Sequence, residues 1–268
     1  QTLTITQING QTATVGSQIT LNNGDTVTLL ADGTIDIVNT SGGTEGTSSF
    51  SYTVSDPDGN TDSAFVTYDT QAPCFTPGTM IDTPYGPRAI ETLAVGDLVL
   101  TRDGGPKALR WVGKQTVDLH EYTAHLRPIL IRKDAFGPGS PARDMRVSPQ
   151  HRMLLGDTQT QLLFGMEEAL APAKSLINHK TVLIDHGVAS VTYLHLLFDE
   201  HEIVLADDAP TESLFPGEQA LDAFSDQNRS EVFDLFPELR AMPANFGPTV
   251  RTVLRAYEGK VWTQASAI

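Results

Sequence analysis

The first 73 residues of this 268-residue chain contain no lysine, arginine or histidine, yet they hold eight acids: Asp25, Asp32, Asp36, Glu45, Asp56, Asp58, Asp62 and Asp69. All 18 Lys and Arg, all seven histidines and the rest of the 33 acids lie from residue 74 onward. A break this sharp separates two surface chemistries and so sets a module boundary. The only cysteine, Cys74, stands on that boundary, directly after Pro73. A single cysteine excludes an intrachain disulfide and any Cys-rich zinc site.

Residues 1–73 are rich in Thr, Gly, Asn and Asp. Short runs, TLTI, TVTLL, TIDIV, SFSYTV and AFVTY, alternate with NNGD, ADG, SGG and DPDGN. β-Branched and aromatic residues in period two, broken by turn chemistry, predict a small β-sandwich. The stretch SFSYTVSDPDGNTDSAFVTY resembles the end of bacterial cadherin-like or Ig-like adhesin repeats, which implies a secreted or bacterial cell-surface protein. Asp56, Asp58 and Asp62 have two readings: carboxylates gathered for Ca²⁺, or a solvated turn whose Asp and Gly suit its backbone.

Beyond Cys74 the runs remain short and β-branched: LRPILIRKD, MRVSPQHRMLL, KTVLIDHG and VTYLHLLFDEHEIVLADD. They predict a second, mostly β unit over 74–216, with GMEEALAPAKSL as a helical turn or two. Residues 217–268 read as a helical tail. SDQNRSEVFDLFPELRAM is a helix capped by Ser225. PTVRTVLRAYEGK is another, with Pro248 near its start and Gly259 as its stop.

Four stretches in order, CFTPGTMI, GDLVLT, VSPQHRMLL and HLLFDEHEIVLADDAPTES, resemble a Hint domain, the horseshoe-shaped all-β module shared by inteins, Hedgehog autoprocessing domains and bacterial intein-like domains. The resemblance covers about residues 74–216 and implies self-cleavage. The residues point the same way. A thiol that opens a domain can attack the carbonyl before it, replacing the Pro73–Cys74 amide with a thioester through an N-to-S acyl shift. The amide is the more stable species. The shift therefore needs a proton for the departing amine, stabilisation of the tetrahedral oxyanion and strain at the scissile bond.

By the resemblance, SPQH stands where the family carries T-x-x-H. This makes His151 the proton donor and gives Ser148 the place of the threonine, orienting the imidazole or the scissile amide. His201 occupies the late-motif position, and Asp199, two residues earlier, would share its strand face. His120, His125, His179, His186 and His195 have no motif behind them, and His195 in YLHLLF reads as a packed strand histidine. Inteins close with His-Asn before Cys, Ser or Thr, whereas ADDAPTESLFPG follows the last motif here. The expectation is cleavage without splicing, with the thioester resolved by water, a small nucleophile or an acceptor amine. The chain's own N-terminal flank is then the substrate, and cleavage requires no cofactor. Hedgehog proteins select the incoming nucleophile with the region after the Hint core, and the tail has that position; the plainer reading is a helical cap on the β core. Pro73 crowds its own carbonyl, so processing is expected to be slow.

Two readings compete with self-cleavage. In one, the Hint-like module is an inert part of a surface adhesin and Cys74 is a small buried hydrophobe. In the other, calcium triggers cleavage at the labile Asp56–Pro57 bond. A net charge of −15 argues against nucleic-acid partners. No apolar run is long enough to span a membrane. The start at Gln1, without a signal-like stretch, reads as a piece of a longer protein.

Overall fold

The computed structural model describes residues 3–21, 26–38, 46–70, 72–121, 123–216, 221, 224–240 and 246–265. The N-terminal module is the expected two-sheet arrangement. One sheet orders its strands Gln11–Thr12, Thr4–Ile8, Gly46–Ser55 and Thr61–Thr70; the other orders Gln18–Thr20, Thr26–Leu29 and Ile35–Val38. All pairings are antiparallel. Alternation shows here: Ile8, Ile19, Val27, Leu29 and Phe50 fill one core, and Gln18 and Thr20 on either side of Ile19 are exposed.

The long hairpin of this module turns at Asp56–Asn60. Asp56 Oδ1 accepts from the backbone N–H of Asp58 at 3.0 Å and of Asn60 at 2.8 Å, and Oδ2 accepts from Asn60 Nδ2 at 2.9 Å. Gly59 takes φ +86°, which a residue with a Cβ rarely adopts. Asp62 Oδ1 accepts from Ser63 N. The Asp56 carboxylate is thus engaged by its own turn. Among the described residues, no group of three His, Cys, Asp or Glu side chains is arranged to hold a metal ion.

The body from residue 72 onward is built on three sheets. The largest runs Gly105–Ala108, Leu98–Thr101, Ile203–Ala206, Ala209–Glu212, Arg152–Leu155 and Ala169–Pro172, with the short strands Met80–Ile81 and Arg88–Ala89 attached. A two-stranded ribbon pairs Trp111–Asp118 with Ser190–Leu197 over eight residue pairs. A third sheet orders Met145–Val147, Ile129–Ile131 and Val182–Ile184. Phe75 bridges two of these sheets, pairing with Val147 on one side and Leu194 on the other. Its N–H donates to Leu194 O and its carbonyl accepts from Leu194 N, both at 2.9 Å. The start of the body is therefore threaded between sheets rather than left at the surface.

Two expectations about the helices need correction, and one helix is additional. GMEEALAPAKSL forms the strand Ala169–Pro172 and a 3-10 turn at Ala173–Leu176, because Ala169, Leu170 and Ala171 are buried and ladder against Arg152–Leu155. A helix at Thr158–Phe164, capped by Asp157, was not foreseen. In the tail, Ser225 does cap Asp226–Leu235, accepting from Asn228 N at 3.2 Å. The last helix, however, is Ala256–Ala265, and Gly259 lies inside it. A Cβ on Gly259 would come within 2.0 Å of Ser175 Oγ, so this glycine permits close packing rather than stopping the helix. The preceding stretch is non-helical, and Val253 bridges Leu170 in parallel.

Among the described residues the tail forms no core of its own. Leu254 and Trp262 join the main core of the body, while Leu221, Phe224, Val232, Phe236, Leu239 and Phe246 complete a second one with Ala72, Cys74, Trp111, Tyr193 and Leu197. It caps the β body as expected, and it does so over the cysteine. Among the described residues no helix is long and apolar enough to cross a membrane.

Candidate functional site

Ala72, Cys74, Ser148 and His195 are all completely buried. Backbone pairing fixes the junction first. Cys74 O accepts from Ser148 N at 2.9 Å, and the Phe75–Leu194 bridge holds the next residue. The Ser148 hydroxyl completes the clamp: Oγ accepts from Cys74 N at 3.0 Å and donates to Ala72 O at 3.1 Å. One side chain thus spans Pro73 and grips the polar groups on both sides of it.

The imidazole at this junction belongs to His195. Its Nδ1 lies 3.0 Å from Pro73 O, the carbonyl of the Pro73–Cys74 bond, and its Nε2 lies 3.7 Å from Cys74 Sγ. A carbonyl oxygen can only accept, so Nδ1 carries the proton and Nε2 turns its lone pair to the thiol. The thiol hydrogen has a second acceptor, Ala72 O, at 2.9 Å. Burial pushes His195 down to about 4, against the opposing pull of the Pro73 carbonyl, so the ring is neutral at neutral pH. A neutral imidazole placed this way can take the thiol proton at one nitrogen and donate a hydrogen bond to the carbonyl oxygen from the other.

Sequence reasoning dismissed His195 and favoured His151. The structure places His151 one strand away. It follows the Ser148–Pro149 turn and leads into Arg152–Leu155, so its ring falls against the neighbouring hairpin. There Nε2 meets Thr211 Oγ1, Nδ1 has no hydrogen-bond partner among the described residues, and the ring packs against Phe75 with centroids 4.4 Å apart. Burial lowers its pKa to about 4 as well, with the nearby Glu212 pulling the other way. His195 did carry a signal: it is the polar break in an apolar strand, in phase with Tyr193 and Leu197, which face the same core as Cys74.

His201 and Asp199 do not share a strand face. Both lie in the turn between the strands Ser190–Leu197 and Ile203–Ala206. Asp199 is exposed and pairs with Arg110 at 3.4 Å, away from the junction. His201 is buried; its Nδ1 accepts from Val250 N at 3.2 Å and its Nε2 faces Glu212 Oε2 at 3.4 Å. Glu212, which no motif flagged, accepts from Arg152 Nη1 at 3.0 Å and from Arg152 N at 2.8 Å. Burial raises its carboxyl, but Arg152 and His201 together outweigh that and hold it below the usual carboxylate range.

Comparison with known proteins agrees with this architecture. Residues 73–218 match the model of the Hint domain family, and residues 1–69 match a bacterial Ig domain. No curated protein matches the chain. Similar solved structures include a bacterial intein-like domain from Clostridium thermocellum, at 15% identity over 52% of this chain and 97% of that one, with a TM-score of 0.34. The gp41-1 intein gives 14% identity, 52% and 97% coverage and a TM-score of 0.32. The MchDnaB-1 intein (N145AA) gives 18%, 52%, 98% and 0.34. The Hint match spans over half of the sequence, so this chain belongs to the Hint domain family and carries a bacterial Ig domain ahead of its Hint domain.

Proposed function

We propose that the chain cuts its own Pro73–Cys74 bond by an N-to-S acyl shift, without splicing, as a single-turnover intramolecular catalyst. One observation carries this reading: a single imidazole, His195, touches both the carbonyl oxygen of that bond and the thiol that follows it. The thiol proton passes to His195 Nε2 and sulfur bonds to the Pro73 carbonyl carbon. The resulting oxyanion is met by the Nδ1–H already in place. Collapse breaks the carbon–nitrogen bond, and the proton held on His195 goes to the departing Cys74 amine. Ser148 acts by position, holding Cys74 N and Ala72 O so that the bond between them is presented in one orientation. The thioester is then opened by water or by an outside nucleophile such as an amine, which leaves a Pro73 acyl product and regenerates the thiol.

The same geometry makes the resting rate low. Burial holds this imidazole near 4, so it is a weak base for the thiol proton and the transfer is uphill. The bacterial Ig domain suggests an extracellular or surface protein, and we place the reaction there. The test is intact mass after incubation with hydroxylamine or dithiothreitol. Fragments 1–73 and 74–268 are expected from the native chain and none from Cys74→Ala; equal cleavage of that variant at the same bond would sink the thioester. The complete burial of Cys74 favours a second reading, an inert structural thiol. Under it the native chain stays whole in hydroxylamine and the thiol resists labelling until the protein unfolds.

A further inference from the structure

Two hydrogen bonds do not by themselves fix the His195 ring. The contact to sulfur is long at 3.7 Å, and a half-turn about the Cβ–Cγ bond would exchange the sides of the imidazole. Aromatic walls from two distant parts of the chain stand against that turn. Trp111 stacks on the ring with centroids 6.1 Å apart and planes at 23°. Phe224, from the tail, meets it edge-on at 5.0 Å and 69°, and touches Trp111 at 5.4 Å. Both side chains are buried.

The wall on the strand side depends on a glycine. Gly113 is the register partner of His195, and a Cβ there would come within 1.9 Å of the Trp111 indole. Without that Cβ the indole lies across the strand and over the histidine. The indole is also tied to the tail: its Nε1–H donates to Glu231 Oε2, on the helix Asp226–Leu235, at 2.8 Å.

We propose that the C-terminal tail is a working part of the processing site: Phe224, together with Trp111 lying over Gly113 and tied to Glu231, is a positioning clamp that aims the two nitrogens of His195 at Pro73 O and Cys74 Sγ and keeps water off them. The proposal rests on the role given to His195 above. The clamp also supplies the apolar shell that depresses the ring's proton affinity. The titratable groups around it are the Cys74 thiol, His151, whose own titration feels His195, and Glu231 on the far side of the indole. Lys114, beside Gly113 on the partner strand, is exposed. None of these places a full charge against the imidazole, so removal of Phe224 should act through hydration.

The experiment follows the His195 imidazole by ¹⁵N NMR across pH in the full chain carrying Cys74→Ala, and hydroxylamine cleavage in the chain that keeps Cys74. Phe224→Ala should raise the His195 midpoint by about one unit or more toward the ordinary histidine value. Its cleavage should fall roughly 10-fold or more, because the loss of aim outweighs the easier proton transfer to a more basic ring. The low-pH limb of the rate should move up with the midpoint. Phe224→Leu, which refills the volume, should recover most of both. Phe236→Ala removes another buried tail aromatic that packs on Phe246, and should leave the midpoint in place. If Phe224→Ala does not fold, Glu231→Ala loosens the indole from an exposed position and should give a smaller rise in the same direction. An unmoved midpoint in the folded clamp variant, or an equal move in Phe236→Ala, overturns the proposal. If the native chain is inert to hydroxylamine, the self-cleavage reading fails by itself, while the titration in the Cys74→Ala background still decides whether Phe224 shields the ring.

Discussion

The N-terminal module and the Hint body are both built from short antiparallel strands, yet they treat polar groups in opposite ways. Among the described residues of the module, Thr26 is the only polar side chain that is buried. Its Asp56 carboxylate sits in solvent and organises a turn. In the body, Ser148, His151, His195, His201, Thr211 and Glu212 are all at 2% exposure or less. Burying ionisable groups costs stability unless each is paired, and the module shows that a β fold of this kind needs no such groups. Ser148 and His195 meet at one peptide bond, while Glu212 with Arg152 and His201 forms a second buried cluster; buried ionisable groups so placed mark a candidate site for chemistry.

The comparison is broken most directly by removing the chemistry. Cys74→Ala should abolish cleavage before residue 74. His195→Ala should slow it by about 10²–10⁴-fold, the range for loss of an acid–base group. His151→Ala, whose ring faces Thr211 and Phe75, should act mainly by loosening the fold. Rates of hydroxylamine cleavage, measured on the folded fraction of each variant, check this. Equal losses in the two histidine variants would return His151 to the mechanism.

Acid should separate the two regions next. His151 and His195 both sit near 4 when folded against 6.5 when unfolded. Above about pH 6.5 they are neutral in both states and the body has its full stability. As pH falls toward 4 the unfolded chain takes up protons that the folded chain refuses. Each histidine then costs about 1.4 kcal/mol per pH unit, at most about 7 kcal/mol for the pair over the whole window. Below about 4 this loss levels off. The module contains no histidine and lacks the term entirely. Calorimetric melts between pH 7 and 4 should show the transition of the body dropping steeply while that of the module stays comparatively still. Parallel shifts would mean that the buried rings titrate normally.

Charge removal inside the body should come third. Glu212 is fully buried, paired with Arg152 and facing His201. Glu212→Gln leaves the Arg152 guanidinium without its counter-charge, and breaking such a buried pair typically costs about 3–5 kcal/mol. Urea unfolding of the variant should report a loss of that size in the body and none in the module. A loss below about 1 kcal/mol would show that water already reaches the cluster.

These outcomes bear on how much could be read from the sequence. The module was legible because its strands alternate and its turns use Asp, Asn and Gly for local backbone reasons, as at Asp56 and Gly59. The boundary and the cysteine were legible from composition alone. The serine of SPQH does stand at the Pro73–Cys74 amide, although the pairing that puts it there reaches Cys74 across 74 residues. The histidine of that motif stands a strand away, and His195 is the ring at the junction. Which imidazole reaches the junction depends on the Phe75–Leu194 bridge, a pairing across more than a hundred residues that leaves no periodic trace. The same holds for Glu212 and for Phe224, whose partners come from distant strands. Gly259 was misread for a related reason: a glycine at a helix end and one that admits Ser175 look alike in one dimension.

The smallest expected effect lies in the module and tests whether its polar groups serve only local structure. Asp56 accepts three hydrogen bonds, from Asp58 N, Asn60 N and Asn60 Nδ2. The bonds to Asn60, first its side chain and then its backbone, hold the carboxyl below its usual value of 3.8. Asp56→Ala should therefore lower the melting temperature of the module by a few degrees and leave the body and its cleavage unchanged. The sign with pH is opposite to that of the histidines. The benefit of a depressed carboxylate is complete above its unfolded value and fades as pH falls below 3.8 through the folded value, so variant and native module should converge in strong acid. Asn60→Ala should reproduce part of the loss, since it removes the side-chain donor and keeps the backbone one. Calcium supplies the counter-test. To bind through Asp56, Asp58 and Asp62 it must displace those donors, so a rise in the melting temperature of the module with millimolar calcium, lost in Asp56→Ala, would show that the loop is a ligand site whose turn is only its resting form.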